Sequence, residues 1–182
     1  VGSEMCIRDR FNMKGKILVT GGTGYIGSHT VVELQNAGYE VVIVDNLSNS
    51  SADVVDNIEK VSGIRPAFEK LDCLDLEGMD KLFTKYPGIK GIIHFAASKA
   101  VGESVQKPLL YYRNNLVSLI NLLELMPKHG VEGIIFSSSC TVYGQPDVLP
   151  VTEEAPIKKA ESPYGNTKQI NEEIIRDTVA SG

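Results

Sequence analysis

The sequence predicts an α/β protein with a doubly wound parallel sheet, and three observations support this fold class. Short runs of β-branched residues alternate with longer amphipathic segments, which is typical of βαβ units. Four of the five strand candidates are almost continuously apolar, as expected for strands covered by helices on both faces. Gly38 and Gly130 stand where helices would stop. The strand candidates are "KILVT" (16–20), "EVVIVD" (40–45), "RPAFEKLD" (65–72), "GIIHFAA" (91–97) and "GIIFSSS" (133–139), and the helical stretches are about 25–37, 52–61, 75–85 and 108–127.

The first strand leads into a glycine-rich turn, "VTGGTGYIGSHT" (19–30), in which Gly21, Gly24 and Gly27 form a G-x-x-G-x-x-G pattern. Such a turn lets the backbone approach a pyrophosphate, and the helix that follows offers unpaired N–H groups at its N-terminus. The pattern is also compatible with a tight strand-to-helix turn that binds nothing. Its position after the first strand favours a dinucleotide-binding Rossmann fold.

Acidic residues mark the ends of the second and third strands. Asp45 ends the second strand, where a carboxylate can accept hydrogen bonds from the two ribose hydroxyls of adenosine and repels a 2′-phosphate. The following "NLSNS" (46–50) contains no arginine, so the pattern favours NAD over NADP. Asp72 ends the third strand and suits the adenine amino group. Both residues have structural alternatives, a loop cap for Asp45 and a turn for Asp72.

The fifth strand and the last helix carry the candidate catalytic residues. Ser139 ends the fifth strand at its carboxyl edge, where ligands of parallel sheets bind. Ser162 as N-cap and Pro163 at the first helical position begin a helix that places Tyr164 and Lys168 on one face. An ammonium favours the phenolate form of a nearby tyrosine, which can then act as a base. By itself, a tyrosine and a lysine four residues apart indicate only a helix face. Together with the glycine turn, the acidic end of the second strand and Ser139, the pair predicts a catalytic site. In this site Ser139 contacts the same substrate hydroxyl that Tyr164 deprotonates.

The composition excludes several classes of function. The formal net charge is -5 with a pI near 5.2, so no basic stripe suits nucleic acid. No apolar run approaches the roughly 20 residues of a membrane span, and no secretory signal is present, so we expect a cytoplasmic protein without membrane contact. Cys6, Cys73 and Cys140 are odd in number and scattered, which indicates neither disulfides nor a metal site.

The first twelve residues, "VGSEMCIRDRFN", have no helical or strand period and resemble translated adapter sequence. We expect residues 1–12 to be a non-native leader and Met13 to be the natural start. Residues 13–182 are then expected to form one NAD-binding Rossmann domain.

Five blocks of the sequence resemble the extended short-chain dehydrogenase/reductases, and within them the UDP-glucose 4-epimerase family. They are "VTGGTGYIGSHT", "DNLSNS", "HFAASKAVGESVQKPLLYYRNN", "FSSSCTVYG" and "SPYGNTK", and together they span the chain from about Lys14. The resemblance implies catalytic residues Ser139, Tyr164 and Lys168. It implies that NAD contacts Gly21, Gly24, Tyr25, Ile26, Gly27, Asp45, Asn46, Leu47, Ser48, Asn49, Ser50, Asp72, Cys73, Phe95, Ala96, Ala97, Ser98, Lys99, Asn114, Tyr164 and Lys168.

The resemblance also implies a mechanism. Tyr164 takes the proton of the sugar 4′-hydroxyl while the C4 hydride passes to tightly held NAD, and the 4-keto sugar then turns and receives the hydride on its other face. Lys168 holds the nicotinamide ribose, and Ser139 steadies the 4′-oxygen. The implied partners are a UDP-hexose substrate and a second copy of the protein, through helices near 100–127 and 163–180.

Alternatives remain open. A UDP-N-acetylhexosamine or pentose 4-epimerase fits the same blocks, whereas a 4,6-dehydratase is disfavoured because Cys140 and Thr141 stand where those enzymes place an Asp-Glu pair. Lys99 can be a solvated loop charge, and Glu172 and Glu173 are expected on a solvated helix face. The family continues into a substrate lobe, so we expect this chain to be an N-terminal fragment that lacks turnover by itself, or an inert NAD-binding module.

Overall fold

The computed structural model describes residues 14–181, and the expected leader, Met13 and Cys6 lie outside the described residues. The chain divides into two compact units. The first runs to Ala96 and includes residues 124–136, and the second consists of residues 97–123 and the chain from Ser137 onward. Within residues 14–181, no helix combines the length and the apolar character that crossing a membrane requires.

The first unit contains a five-stranded sheet in which every neighbouring pair is parallel. The strand order is β3-β2-β1-β4-β5, so the direction of winding reverses between β1 and β4. The predicted doubly wound sheet is confirmed. Its strands are β1 (Lys16–Thr20), β2 (Glu40–Asp45), β3 (Ala67–Lys70), β4 (Ile89–His94) and β5 (Gly133–Phe136).

Helices α1 (Tyr25–Asn36), α2 (Asp53–Ser62) and α3 (Leu76–Lys85) belong to the first unit. The core joins the central strands to α1 and α2, because Val19, Ile43, Val31 and Ile58 are all buried in one cluster. Residues 41–44 of β2 are buried without alternation, as the continuous apolar run predicts for a strand covered on both faces.

Three strands are shorter than predicted, and the neighbouring strands explain where they end. β3 ends at Lys70, which pairs with Asp45, the last residue of β2. The prediction that Asp72 ends this strand is therefore wrong, because Asp72 lies two residues beyond it. β3 begins after Pro66, which has no N–H to donate to the ladder. Beyond β4, the N–H of Phe95 bonds to the carbonyl of Thr20, the last residue of β1, at 3.0 Å. β5 ends at Phe136 because it pairs with His94, where β4 ends. Ser139 therefore lies three residues beyond the end of β5, so the prediction that Ser139 ends this strand is wrong.

The second unit contains α4 (Val101–Gln106), the first part of α5 (Pro108–His129), a 3₁₀ helix (Cys140–Tyr143) and α6 (Pro163–Ala180). The sequence did not predict α4. Lys107 separates it from α5, since the residue before a proline is disfavoured in the helical conformation. The predicted start of α6 is confirmed: Ser162 Oγ accepts a hydrogen bond from the Gly165 N–H at 3.1 Å, and Pro163 opens the helix.

Candidate functional site

The glycine turn of the first unit joins β1 to α1. Gly21 has φ of 70°, and a Cβ at this position would lie 2.8 Å from the Ala96 nitrogen. Gly24 is the N-cap of α1 and supplies no side chain to cap the helix, and the first turn carries no acidic residue. Tyr25 and Ile26 are 78% and 60% exposed beside this terminus. The geometry suits a bound anion, because a helix N-terminus presents N–H groups and a favourable dipole.

Asp45 lies at the end of β2, as predicted, and its carboxylate is tied to two loops. One oxygen accepts from the Thr23 N–H at 3.2 Å, and the other accepts from the Leu47 N–H at 2.9 Å and Ser50 Oγ at 3.2 Å. The contact with Leu47 is the loop cap given above as the structural alternative. The same contacts hold the carboxylate against the glycine turn, so capping and ligand recognition are compatible here.

Asp72 and its neighbours form a second predicted cluster in the first unit. One oxygen of Asp72 accepts from Asn46 Nδ2 at 2.9 Å, and the other accepts from the Leu74 N–H at 2.9 Å. Asp72 therefore links the loops after β2 and β3 and also shapes its own turn. Burial, together with Asp72 and Asp45, raises the pKa of the Cys73 thiol to about 12, so this cysteine is a neutral packing group at neutral pH.

Of the remaining predicted cofactor residues, Gly27 lies in α1 and Asn114 lies in α5, and the others lie in loops. Asn46, Ser48 and Asn49 follow β2, while Phe95 and Ala96 follow β4 in the first unit, and Ala97, Ser98 and Lys99 begin the second unit. Lys99 is exposed, which agrees with the alternative that it is a solvated loop charge.

In the second unit, Ser98 contacts the predicted Asn114 and also Asn115, which sequence reasoning missed. Asn114 Nδ2 donates to Ser98 Oγ at 3.1 Å. Asn115 accepts from the Ser98 N–H at 2.8 Å and donates to the Ser98 carbonyl at 2.9 Å and to Thr167 Oγ1 at 3.0 Å. Asn115 is 1% exposed and lies on the same side of α5 as the buried Tyr111 and Leu119. A buried amide on an apolar helix face needs hydrogen-bond partners, so the position of Asn115 in this pattern was the sequence signal for its role.

Tyr164 and Lys168 share one face of α6, as their spacing predicts. The Lys168 Nζ atom lies 5.9 Å from the centroid of the Tyr164 ring and donates to the Ser137 carbonyl at 2.7 Å. Lys168 is 4% exposed, and this burial lowers the pKa of its ammonium group to about 8. The lysine is therefore a buried cation that can release a proton close to neutral pH.

Ser139 is the N-cap of the 3₁₀ helix. Its Oγ accepts from the Thr141 N–H at 3.3 Å and from Thr141 Oγ1 at 3.0 Å. Because Ser139 is the acceptor in both contacts, its own O–H can still donate to a substrate oxygen.

Glu172 lies one turn beyond Lys168 on α6, and it makes a contact on the exposed side of this helix that the sequence did not predict. Its carboxylate accepts a hydrogen bond from the hydroxyl of Ser138, and its side chain is only partly exposed. Its neighbour Glu173 is exposed, as predicted. The helical period alone does not reveal the partner of Glu172, because Ser138 is 34 residues away along the chain.

The sequence matches the family described as the NAD dependent epimerase/dehydratase family over residues 17–182. This chain belongs to that family.

Several members of the NAD dependent epimerase/dehydratase family are close to this chain. The UDP-glucose 4-epimerase of Bacillus subtilis (strain 168) is 53% identical over 161 residues, which is 88% of this chain and 47% of that protein. The UDP-glucose 4-epimerase of Homo sapiens is 50% identical over 171 residues, covering 91% of this chain and 49% of the human protein. The chain therefore spans about half the length of the curated relatives it matches.

A solved structure shows the same fold. The UDP-glucose 4-epimerase from Bifidobacterium longum, crystallised with NAD+ and UDP, superposes with a TM-score of 0.89 at 47% identity, covering 91% of this chain and 49% of that one. The predicted resemblance to this family, made from five sequence blocks, is confirmed.

The buried Lys168 of this family member predicts a pH-dependent stability. The unfolded lysine keeps its proton up to about pH 10.5, whereas the folded one loses it near pH 8. The unfolded state binds more protons between these values, so the free energy of unfolding must rise with pH. From pH 7 to pH 9.5 we expect the wild type to gain about 2 kcal/mol relative to Lys168→Met, measured by urea unfolding. Parallel pH profiles for the two proteins would contradict the burial of a titrating ammonium.

Proposed function

We propose that the full-length protein containing this chain interconverts the C4 epimers of a UDP-hexose, UDP-glucose and UDP-galactose, with NAD as a resident cofactor. The observation that carries the proposal is the 53% and 50% identity to UDP-glucose 4-epimerases of a bacterium and a mammal. The family match over residues 17–182 includes the glycine turn, Asp45 and the start of α6, which are the parts of the chain that suit this chemistry.

The residues of the first unit fit NAD. Gly21 leaves room for close backbone approach, and the N-terminus of α1 has no side-chain cap, as a pyrophosphate requires. Asp45 would accept hydrogen bonds from the adenosine ribose, and its charge disfavours the 2′-phosphate of NADP. When bound, NAD supplies a hydride acceptor and donor for the sugar carbon. The contacts of Asp72 and Cys73 with adenine are proposed from the resemblance to the family, and both residues lie in the loop after β3.

The residues of the second unit fit the proton transfer. Tyr164 as phenolate would take the proton of the 4′-hydroxyl and return it after the hydride has come back, so no net oxidation occurs. Lys168, whose Nζ lies 5.9 Å from the centroid of the Tyr164 ring, would hold the nicotinamide ribose. Ser139, whose O–H can donate, would steady the 4′-oxygen as its charge changes.

A 4,6-dehydratase remains disfavoured. Cys140 and Thr141 follow Ser139, and neither is a competent acid at neutral pH. The N–H and the hydroxyl of Thr141 both donate to Ser139 Oγ at the N-terminus of the 3₁₀ helix. UDP-N-acetylhexosamines and UDP-pentoses stay open as alternative substrates of the same reaction.

The test is an assay of the purified full-length protein with UDP-galactose and no added NAD. We expect UDP-glucose to form, and we expect denaturation to release NAD in near one-to-one amount. UDP-N-acetylgalactosamine and UDP-arabinose serve as comparison substrates and decide the sugar. Release of a 4-keto-6-deoxy sugar, or no conversion of any of these, would contradict the proposal.

We also propose a homodimer that uses helices of the second unit. Val105 of α4, Leu109 of α5 and Val179 of α6 are 63%, 81% and 76% exposed, and such apolar side chains are costly to leave in water. A monomeric mass of the full-length protein by light scattering would contradict this assembly.

A further inference from the structure

We propose that Glu172 is a positioning residue of this site: its carboxylate anchors Ser138 and thereby sets the orientation of the neighbouring Ser139. The inference deepens the proposed function and rests on it for the catalytic role of Ser139. It starts from a contact that neither the helical period nor the five sequence blocks predicted.

Helix α6 holds the segment Ser137–Ser139 at two successive points. Lys168 Nζ donates to the Ser137 carbonyl at 2.7 Å, and the Ser138 hydroxyl donates to the Glu172 carboxylate. Tyr164, Lys168 and Glu172 are each four residues apart, so they rise along one side of the helix. The lysine therefore binds the main chain of the segment, and the glutamate binds its side chain.

The backbone transmits this anchoring to Ser139. Ser139 is extended, with φ of -153° and ψ of 149°. In an extended segment adjacent side chains point to opposite sides, so a fixed direction for Ser138 fixes the direction of Ser139.

The downstream side of Ser139 is held by local contacts. Its Oγ caps the 3₁₀ helix through Thr141 at 3.0 and 3.3 Å, and these are contacts between neutral groups two residues apart. The contact of the exposed Ser138 with the Glu172 carboxylate is charge-assisted and joins the segment to a different helix. Loss of Glu172 should therefore remove the side-chain contact of Ser138 with α6, while α6 itself remains capped by Ser162.

Four variants of the full-length protein test the proposal: Glu172→Ala, Glu172→Gln, Ser138→Ala and the matched control Glu173→Ala. Glu172→Ala should lower kcat about 10- to 100-fold, as expected when a reacting group is misplaced by a fraction of an ångström to an ångström. Bound NAD and the KM for UDP-galactose should change less than about twofold, because neither binding surface is altered. Glu173 is exposed, so Glu173→Ala should match the wild type.

Two further readouts separate positioning from general structural damage. Glu172→Gln keeps an acceptor for Ser138 and should restore most of the lost kcat. Ser138→Ala should reproduce the loss seen in Glu172→Ala, and the double variant should be no worse than either single one, because both remove the same contact.

Equal kcat in Glu172→Ala and Glu173→Ala would overturn the proposal, as would a double variant whose loss is the product of the two single losses. If the wild-type protein showed no epimerase activity, the proposed function itself would be contradicted. Urea unfolding of the same four proteins and the double variant distinguishes these failures, since non-additive midpoints for Ser138→Ala and Glu172→Ala report the contact independently of turnover.

Discussion

Tyr164→Phe is expected to lower the epimerase turnover of the full-length protein by about 10³-fold, within the range that a positioned general base contributes. The substitution removes only the phenolic oxygen, so the ring beside Lys168 and the packing of α6 remain. The loss should appear in kcat with UDP-galactose, whereas the amount of NAD released on denaturation should be unchanged. Such a result would separate proton transfer from cofactor binding.

Tyr39→Phe is a matched control for this variant. Tyr39 precedes β2 in the first unit, where its ring lies 5.8 Å from Lys14 Nζ, and it has no part in the proposed site. The control should keep the turnover of the wild type. If Tyr164→Phe retained more than about a tenth of that turnover, Tyr164 would not be the base.

Gly27→Ala is expected to damage the glycine turn severely. A Cβ at Gly27 would lie 2.2 Å from the Gly21 carbonyl oxygen and 2.9 Å from the Gly22 Cα, and both atoms belong to the main chain. No side-chain rotation can relieve these overlaps, so α1 must move away from the turn. We expect the free energy of unfolding to fall by about 3 kcal/mol, the upper part of the range for overpacked sites.

The same movement should remove the cofactor. If the turn that joins β1 to α1 holds the pyrophosphate, Gly27→Ala protein should be purified with little NAD, measured by release on denaturation. Gly102→Ala is the control: Gly102 lies in α4 with no atom within 4 Å of an added Cβ, so alanine there should be neutral or stabilise by up to about 1 kcal/mol. A Gly27→Ala protein with normal stability and full NAD content would contradict both the clash and the assigned role of the turn.

Local signals account for what could be predicted. The strand-turn-helix around Gly21 and the acidic end of β2 follow from apolar runs, glycine positions and one carboxylate at a strand end. The start of α6 follows from Ser162 and Pro163, which act on their own helix terminus, and the common face of Tyr164 and Lys168 follows from the helical period. Each of these features is caused by residues that are close together in the chain, so the local sequence is sufficient to predict it.

Features that depend on contacts between distant residues could not be predicted from the sequence. The ends of β4 and β5 depend on where Thr20 and His94 end the neighbouring strands. Asn115 and Glu172 acquire their roles from Ser98, Thr167 and Ser138, which lie 17 to 52 residues away in the chain.

The sequence by itself determined the fold class, the family and the residue types at the proposed site, because periodicity, capping and glycine spacing are local properties of the chain. The tertiary structure alone decided that Lys168 is a buried cation, that Asp45 is held by both Thr23 and Ser50, and that Glu172 anchors Ser138. Burial and partner choice are set by which segments pack together, and a linear pattern records neither until the chain has folded.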